Sequence, residues 1–349
     1  MKLKEIGSNF HNCIFPDKSG DISFPVETFY YGCGRYAIND LISYHLERGL
    51  WKRIFIPEYF CYEVVDSIRS MGIEVMFYPD HPLAQDEIII NRIKFKSNDV
   101  LLRMNYFGWR IPRDNSRLNV TVIEDHSHNL FSDWALESNA DWCIASLRKT
   151  LPIPDGGIVW SPKNNCSLLE KPSLTWEHSE LAAQRLRAME IKSKYLFSDN
   201  NVSKDDFLSL FNQTESLLGR EGISSLSDVS KKMIGEIPEF INEIRGKNHS
   251  ILSGLITANK CKIQCGDNSD IPFSLILLFE SREDRDRIRS KLIEKNVYSN
   301  ILWEIQNDNA CEEVKDFSRR MLSLPIDFRY SNADMHWMSE ILNTELSIL

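Results

Sequence analysis

The chain has no concentrated basic segment. Its 41 Lys and Arg are outnumbered by 50 Asp and Glu and are spread along its length, giving a formal charge of −9. That pattern does not suit a polyanionic backbone, so nucleic acid is not an expected partner. The opening stretch MKLKEIGSNFHNCIF lacks the apolar core of a signal peptide. The most apolar run, Ile271–Phe279, contains Pro272 and Ser274 and is far too short to span a bilayer. A soluble, cytoplasmic protein without a membrane partner is therefore expected. A metal-ligand array is also missing. Cys13, Cys33, Cys61, Cys143, Cys166, Cys261, Cys265 and Cys311 are scattered, and the pair Cys261 and Cys265 has no matching Cys or His pair nearby. Reduced thiols are expected, and zinc is not. Internal repeats and low-complexity linkers are absent too.

What is present suits a large globular chain. With 349 residues, 42% hydrophobic and 11% aromatic, one large domain plus a smaller one is the natural organisation. Arg53–Ile56, a helix carrying Val64, Ile68 and Met71, and Ile73–Tyr78 form a strand–helix–strand unit, which predicts a parallel sheet. Asp99–Met104, Asn119–Glu124, Trp142–Ala145 and Ile158–Trp160 read as further strands. Pro172–Phe197, Lys204–Leu218 and Ser227–Arg245, continuing toward Leu255, read as helices. A smaller α/β module follows: strand Ile271–Phe279, helix Arg282–Lys295, strand Val297–Ile301, apolar Met321–Pro325 and a closing helix Ala333–Leu342.

Polar and aromatic residues collect where these strands end. In open α/β sheets that edge is where ligands bind. Gly32-Cys33-Gly34-Arg35 opens a helix; glycines there admit a ligand to the free N–H groups, which suit phosphate, although plain turn chemistry would use the same residues. Tyr59, Phe60, Cys61 and Tyr62 could stack on a flat ring or pack under the next helix. Asn105-Tyr106-Phe107-Gly108 follows another strand. Asp125 ends the run NVTVIE; a carboxylate there is costly unless it caps the next segment or holds a cation. His126 and His128 raise the question of a metal, but no further ligand accompanies them, so none is expected. Ser146 and Lys149 open a Pro- and Gly-punctuated loop ending in Gly156-Gly157. Alone, Lys149 reads as a solvated loop lysine.

Taken in order, Cys33-Gly34-Arg35, Pro57-Glu58-Tyr59-Phe60, Glu124-Asp125-His126-Ser127-His128, and Ser146-Leu147-Arg148-Lys149 with Gly156-Gly157 resemble the motifs of the fold-type I PLP-dependent aminotransferases. The resemblance is strongest to the DegT/DnrJ/StrS sugar aminotransferases. It covers roughly residues 25–160, and Leu324-Pro325-Ile326-Asp327 before the last helix is similar too. The resemblance implies an α/β fold of the PLP-dependent transferase type I, with a mostly parallel central sheet, helices on both faces and a smaller C-terminal α/β domain. The expected division is 1–237 and 238–349. It implies pyridoxal 5'-phosphate as cofactor, Lys149 as the Schiff-base lysine, Asp125 on the pyridine nitrogen and His128 near the 3-oxygen. Gly34, Arg35 and Ser146 would hold the phosphate, and Tyr59 or Phe60 would stack on the ring. The implied reaction moves an amino group from an amino acid donor to a keto acceptor, a keto-sugar being one candidate, in a homodimer. Two departures stand out. The Ser146-to-Lys149 spacing is two residues shorter than the group's, and its Gly, Asn and Arg run in the helical half is missing. Alternatives are a sugar dehydratase, which Lys149 opposes because those relatives carry histidine there, a non-catalytic ligand-binding regulator, and an α/β enzyme without PLP.

Overall fold

The computed structural model describes residues 5–15, 22–24, 27–197, 201–220, 222–257, 260–264 and 272–349. Cys265 of the CxxxC pair and Ile271 of the expected strand lie outside the described residues. The first element, β1 (Ile6–Gly7), is followed by β2 (Thr28–Tyr31), α1 (Gly34–Glu47), β3 (Arg53–Pro57), α2 (Tyr62–Ser70), β4 (Glu74–Tyr78), α3 (Asp86–Ile90), β5 (Asp99–Met104), β6 (Thr121–Asp125), α4 (Asp133–Leu136), β7 (Trp142–Ser146) and β8 (Gly157–Trp160). Seven of these strands make one sheet in the order β2-β8-β7-β6-β5-β3-β4. Only β8 runs against its neighbours; the remaining pairs are parallel.

Apolar alternation explains why the sheet is covered on both sides. Side chains of successive strand residues point to opposite faces. Ile54, Ile56, Val100, Leu102, Ile123, Trp142, Ile144 and Val159 join Ile38, Leu41 and Ile42 of α1 in one core. Val122, Cys143, Ala145, Ile158 and Trp160 join a second core that includes Ile234 and Ile241. Every residue of β5 is buried, as a central parallel strand requires.

The second half supplies α5 (Trp176–Phe197), α6 (Lys204–Leu217), α7 (Asp228–Ile234), α8 (Ile241–Leu255), β9 (Cys261–Gln264), β10 (Leu275–Phe279), α9 (Arg282–Glu294), β11 (Val297–Tyr298), α10 (Glu312–Arg320), β12 (Met321–Leu324) and α11 (Asn332–Leu346). Strands β12, β10 and β9 form an antiparallel sheet in that order. Leu275, Leu277, Leu322 and Leu324 of this sheet pack with Ile288, Met335, Met338 and Leu342 of α9 and α11.

Two readings from the sequence are corrected, and two elements were not expected. The helical region 227–255 is two helices, because Gly235 ends α7 and Pro238 interrupts the chain before α8. The strand expected at Val297–Ile301 pairs over two residues only, in parallel with β1. Residues 28–31 form the sheet-edge strand β2, whose aromatics do not alternate with polar residues. Helix α10 was not expected either: EEVKDFSRR offers only Val314 and Phe317 as buried apolar residues.

Candidate functional site

At the C-terminal edge of the parallel strands, Asp125 closes β6 in register with Met104 of β5 and Ile144 of β7. Its side chain is 7% exposed. Oδ1 accepts the Ser127 amide at 2.8 Å. No cation pairs with Asp125 among the described residues. Ser127 Oγ in turn accepts the Ser146 amide at 2.8 Å, which ties the end of β7 to the Asp125 turn.

His128 lies below this turn, with 1% exposure. The Phe107 amide donates to its Nδ1 at 3.1 Å. A backbone N–H can only donate, so the neutral ring carries its proton on Nε2. Nε2 is buried and has no partner among the described residues. Burial first, and then the nearby charge of Lys149, push the His128 pKa well below its ordinary value. Three rings enclose the imidazole: Phe273 at 4.6 Å, Phe107 at 5.3 Å and Trp303 at 5.3 Å between centroids. Phe107 sits at φ +53° and Gly108 at φ +70°, a left-handed pair that turns the chain sharply after β5.

Helix α1 brings its N-terminus to the same edge. Cys33 provides no side-chain cap, and the first turn contains no acid. The positive end of the helix dipole is therefore presented there without a side-chain acceptor from the N-cap residue. A Cβ on Gly34 would lie 3.1 Å from Ser146 Cβ, so the two residues are in contact. Gly156, at φ +143°, bridges Cys33 and donates its amide to Gly32 O at 2.8 Å. The loop end is thereby locked onto the helix start. Arg35 takes another course. Its guanidinium pairs with Glu63 at 3.5 Å and Glu215 at 3.9 Å. It lines a groove with Asn39, Ser67 and Gly219, separate from the cavity at Lys149. Burial would raise the Glu215 pKa, but Arg148 and Arg185 outweigh it and hold Glu215 down at about 2.

Lys149 ends a single 3-10 turn directly after β7. Its Nζ stands 5.4 Å from the centre of the Trp303 ring, and no carboxylate pairs with it among the described residues. It lines a cavity of about 470 Å³ shared with the C-terminal sheet. Tyr59 and Phe60 are both buried. Tyr59 packs edge-on against Tyr106 and Phe317, and both Tyr59 and Phe60 approach Trp303, at 5.6 and 6.0 Å.

The structure thus brings Gly34, Ser146, Ser127 and Asp125 into one chain of contacts, with His128, Trp303 and Lys149 beside it. Arg35 is drawn away, and Tyr59 and Phe60 serve the core. Sequence reading passed over Phe273 and Trp303, which come from the far end of the chain and carry no local motif. It also missed what fixes the Lys149 loop. Asp155 is fully buried and accepts from His178 Nε2 at 2.9 Å, from the Ser227 amide at 2.9 Å, from Ser227 Oγ at 2.5 Å and from Ser230 Oγ. On the opposite face of the sheet, Glu124, His126 and Cys143 are the one group of three metal-ligating side chains drawn together among the described residues. Glu124 is already satisfied by Asn115 at 2.7 Å, Ser138 at 2.6 Å and His126 at 3.2 Å, which fits a structural network.

No family model matches the chain, and no curated protein does. Solved structures do. The fold is shared with sugar aminotransferases. A provisionally assigned sugar aminotransferase from Streptococcus pneumoniae, Spr1654 in its PMP form, superposes with a TM-score of 0.65 at 13% identity, covering 93% of this chain and 87% of that one. For 3-amino-5-hydroxybenzoic acid (AHBA) synthase the TM-score is 0.63 at 13% identity, covering 93% and 88%. For DesI, crystallised in the presence of its TDP-sugar product, it is 0.61 at 13% identity, covering 93% and 81%. At such identity the likeness establishes the PLP-dependent transferase type I fold of the chain.

Proposed function

We propose that the chain is a PLP-dependent aminotransferase that moves an amino group from an amino acid donor to a keto acceptor, a keto-sugar being the class suggested by the fold's neighbours. The observation that carries this reading is the set of unmet groups at one sheet edge. Asp125 is a buried carboxylate without a cation. His128 holds a buried Nε2–H without an acceptor. The start of α1 is uncapped beside Ser146. Lys149 has no counter-ion among the described residues. A flat cationic ring bearing a hydroxyl and a phosphate would answer each of them, so the residues fit pyridoxal phosphate.

In this reading Asp125 would hold the protonated pyridine nitrogen, and His128 would donate to the 3-oxygen. Gly34, Ser146 and the first amides of α1 bind the phosphate. Arg35, held by Glu63 and Glu215, would contribute long-range charge. Lys149 would be the residue that holds the cofactor's carbonyl carbon, and its amine would be placed to move a proton at the substrate carbon. When bound, the cofactor supplies an electron sink for the substrate carbanion. Phe107, Phe273 and Trp303 pack around His128, and Trp303 also approaches Lys149. We further take 1–237 as the cofactor-binding unit and 238–349 as the smaller one, and infer a cytoplasmic homodimer.

A second reading, a ligand-binding regulator of the same fold, draws on the sealing of His128 and the pairing of Arg35. Absorbance and borohydride reduction test the cofactor: the purified protein should be yellow, and reduction should fix the label on Lys149. A colourless protein that takes up no added PLP overturns the proposal. Bound PLP with no half-reaction across a panel of amino donors would favour the regulator.

A further inference from the structure

The cavity beside Lys149 contains an excess of unmet donors. Arg245 of α8 is 1% exposed, and its Nε and Nη1 have no partner among the described residues. Among the described residues its hydrogen bond is from Nη2 to Thr150 O at 3.3 Å, next to Lys149 in the chain. Burying a guanidinium with two orphaned donor nitrogens is costly unless an anion completes it. Other groups lining the same space share the deficit. The hydroxyls of Ser274 and Ser299 are buried without partners, as is Arg289 Nε, and Arg289 has no ion pair among the described residues.

The acids in reach are already used. Asp327 is the one carboxylate lining the cavity among the described residues, and Arg329 holds both its oxygens at 2.7 and 2.8 Å. Arg148 and Arg185, which also line it, share Glu215. What remains is Lys149, Arg245 and Arg289, three cationic side chains lining one cavity without a direct ion pair among the described residues; Asp327, already bonded by Arg329, acts on Arg245 only at longer range.

We propose that this cavity is an oxyanion subsite, in which Arg245 and Arg289, assisted by Ser274 and Ser299, bind a carboxylate or phosphate ester of the molecule presented to Lys149. Both ligands offer paired oxygens to a guanidinium fork, and the volume suits a small metabolite. As a statement about substrate, the proposal rests on reading Lys149 as the reactive amine. As a statement about anion binding, it stands on the cavity alone. The site is distinct from the phosphate cup at α1 and Ser146, because neither Gly34 nor Ser146 lines this space.

The test is calorimetric titration of PLP-treated full-length protein at low salt, with inorganic phosphate in one arm and glutarate in the other. Arg245→Gln and Arg289→Gln are titrated alongside, and borohydride labelling of Lys149 is measured on the same preparations. At least one anion should bind wild-type protein, and Arg289→Gln should weaken it by about tenfold or more. Arg289 is partly exposed, so that variant tests the site even if Arg245→Gln fails to fold. Phosphate bound without glutarate identifies a phosphate ester; the reverse identifies a carboxylate. Wild-type protein that binds neither anion overturns the proposal. So does binding that Arg289→Gln leaves unchanged, since that places the anion elsewhere, the α1 cup included. Labelled Lys149 without anion binding refutes the subsite alone. Arginine-dependent binding without labelling keeps the anion site and removes the aminotransferase reading.

Discussion

Replacing Asp125 by Asn separates a catalytic carboxylate from a structural one. Asparagine keeps the carbonyl oxygen that accepts the Ser127 amide, a bond of 2.8 Å in the wild-type protein. Only the charge assistance of that bond is lost, which costs about 1 kcal/mol, the difference between hydrogen bonds to charged and neutral acceptors. Part of this is returned, because Asp125 is 7% exposed and removing its charge relieves desolvation. The net change in unfolding free energy should be about 1 kcal/mol or less. Activity is a different matter. If Asp125 holds a protonated ring nitrogen, deleting its charge breaks a buried ion pair, at a cost of about 3 kcal/mol or more. That corresponds to a loss of about a hundredfold or more in rate. Single-turnover absorbance changes on adding an amino donor to PLP-loaded protein give the rate, and urea melts of the same samples give stability. A variant that turns over within about threefold of wild type while holding the cofactor would refute the role. So would a variant that loses about 3 kcal/mol of stability but retains its rate per folded molecule.

Further outcomes follow from the same geometry. Lys149→Ala should abolish borohydride labelling and turnover while changing the melting temperature little, because Lys149 makes no ion pair; label recovered on another lysine would move the site. Asp155→Ala leaves His178 and two serines without their buried acceptor, so it should cost about 3 kcal/mol or more in a denaturant melt; a loss below about 1 kcal/mol would show that the Lys149 loop is held some other way. Burial first, and then the charges of Arg329 and Lys192, push the His11 pKa from 6.5 down to about 4. Between those pH values the unfolded chain binds a proton that the folded chain refuses. Stability due to His11 is therefore complete above about pH 6.5 and falls as pH drops toward 4, by up to about 3 kcal/mol. Melts against pH should show this slope, and His11→Gln should flatten it; an unchanged slope would assign the acid sensitivity to other groups.

What could be read from the sequence was what lies close together along it. The run VTVIE followed by Asp125 announces a buried strand ending in an acid, and β6 ends there. The prolines and glycines after Lys149 announce a fixed loop between β7 and β8, and that loop is where they put it. Contacts between distant segments left no such trace. Arg245 looks like any charged residue of an amphipathic helix, and only the fold shows that α8 buries it with two unpaired nitrogens. Phe273 lies in an apolar run and Trp303 beside Ile301, Leu302 and Ile305, so both read as core residues, yet both stack on His128. Arg35 had the right place in the chain, but Glu63 and Glu215 claim its guanidinium.

The short spacing between Ser146 and Lys149 has a physical resolution in the turn that joins them. Residues 147–149 form a single 3-10 turn with Ser146 as its N-cap. The tight 3-10 turn keeps Lys149 close along the chain to the extended Ser146, with only Leu147 and Arg148 between them. The Leu147 amide donates to Gly156 O at 3.1 Å, closing the loop on itself, and Asp155 anchors its far end to His178 and Ser227. A short loop held at both ends leaves the lysine little freedom apart from its own side chain. The serine is then fixed at the helix start while the amine extends toward Trp303 and the cationic cavity. One turn can thus serve a phosphate at its beginning and a reacting carbon at its end.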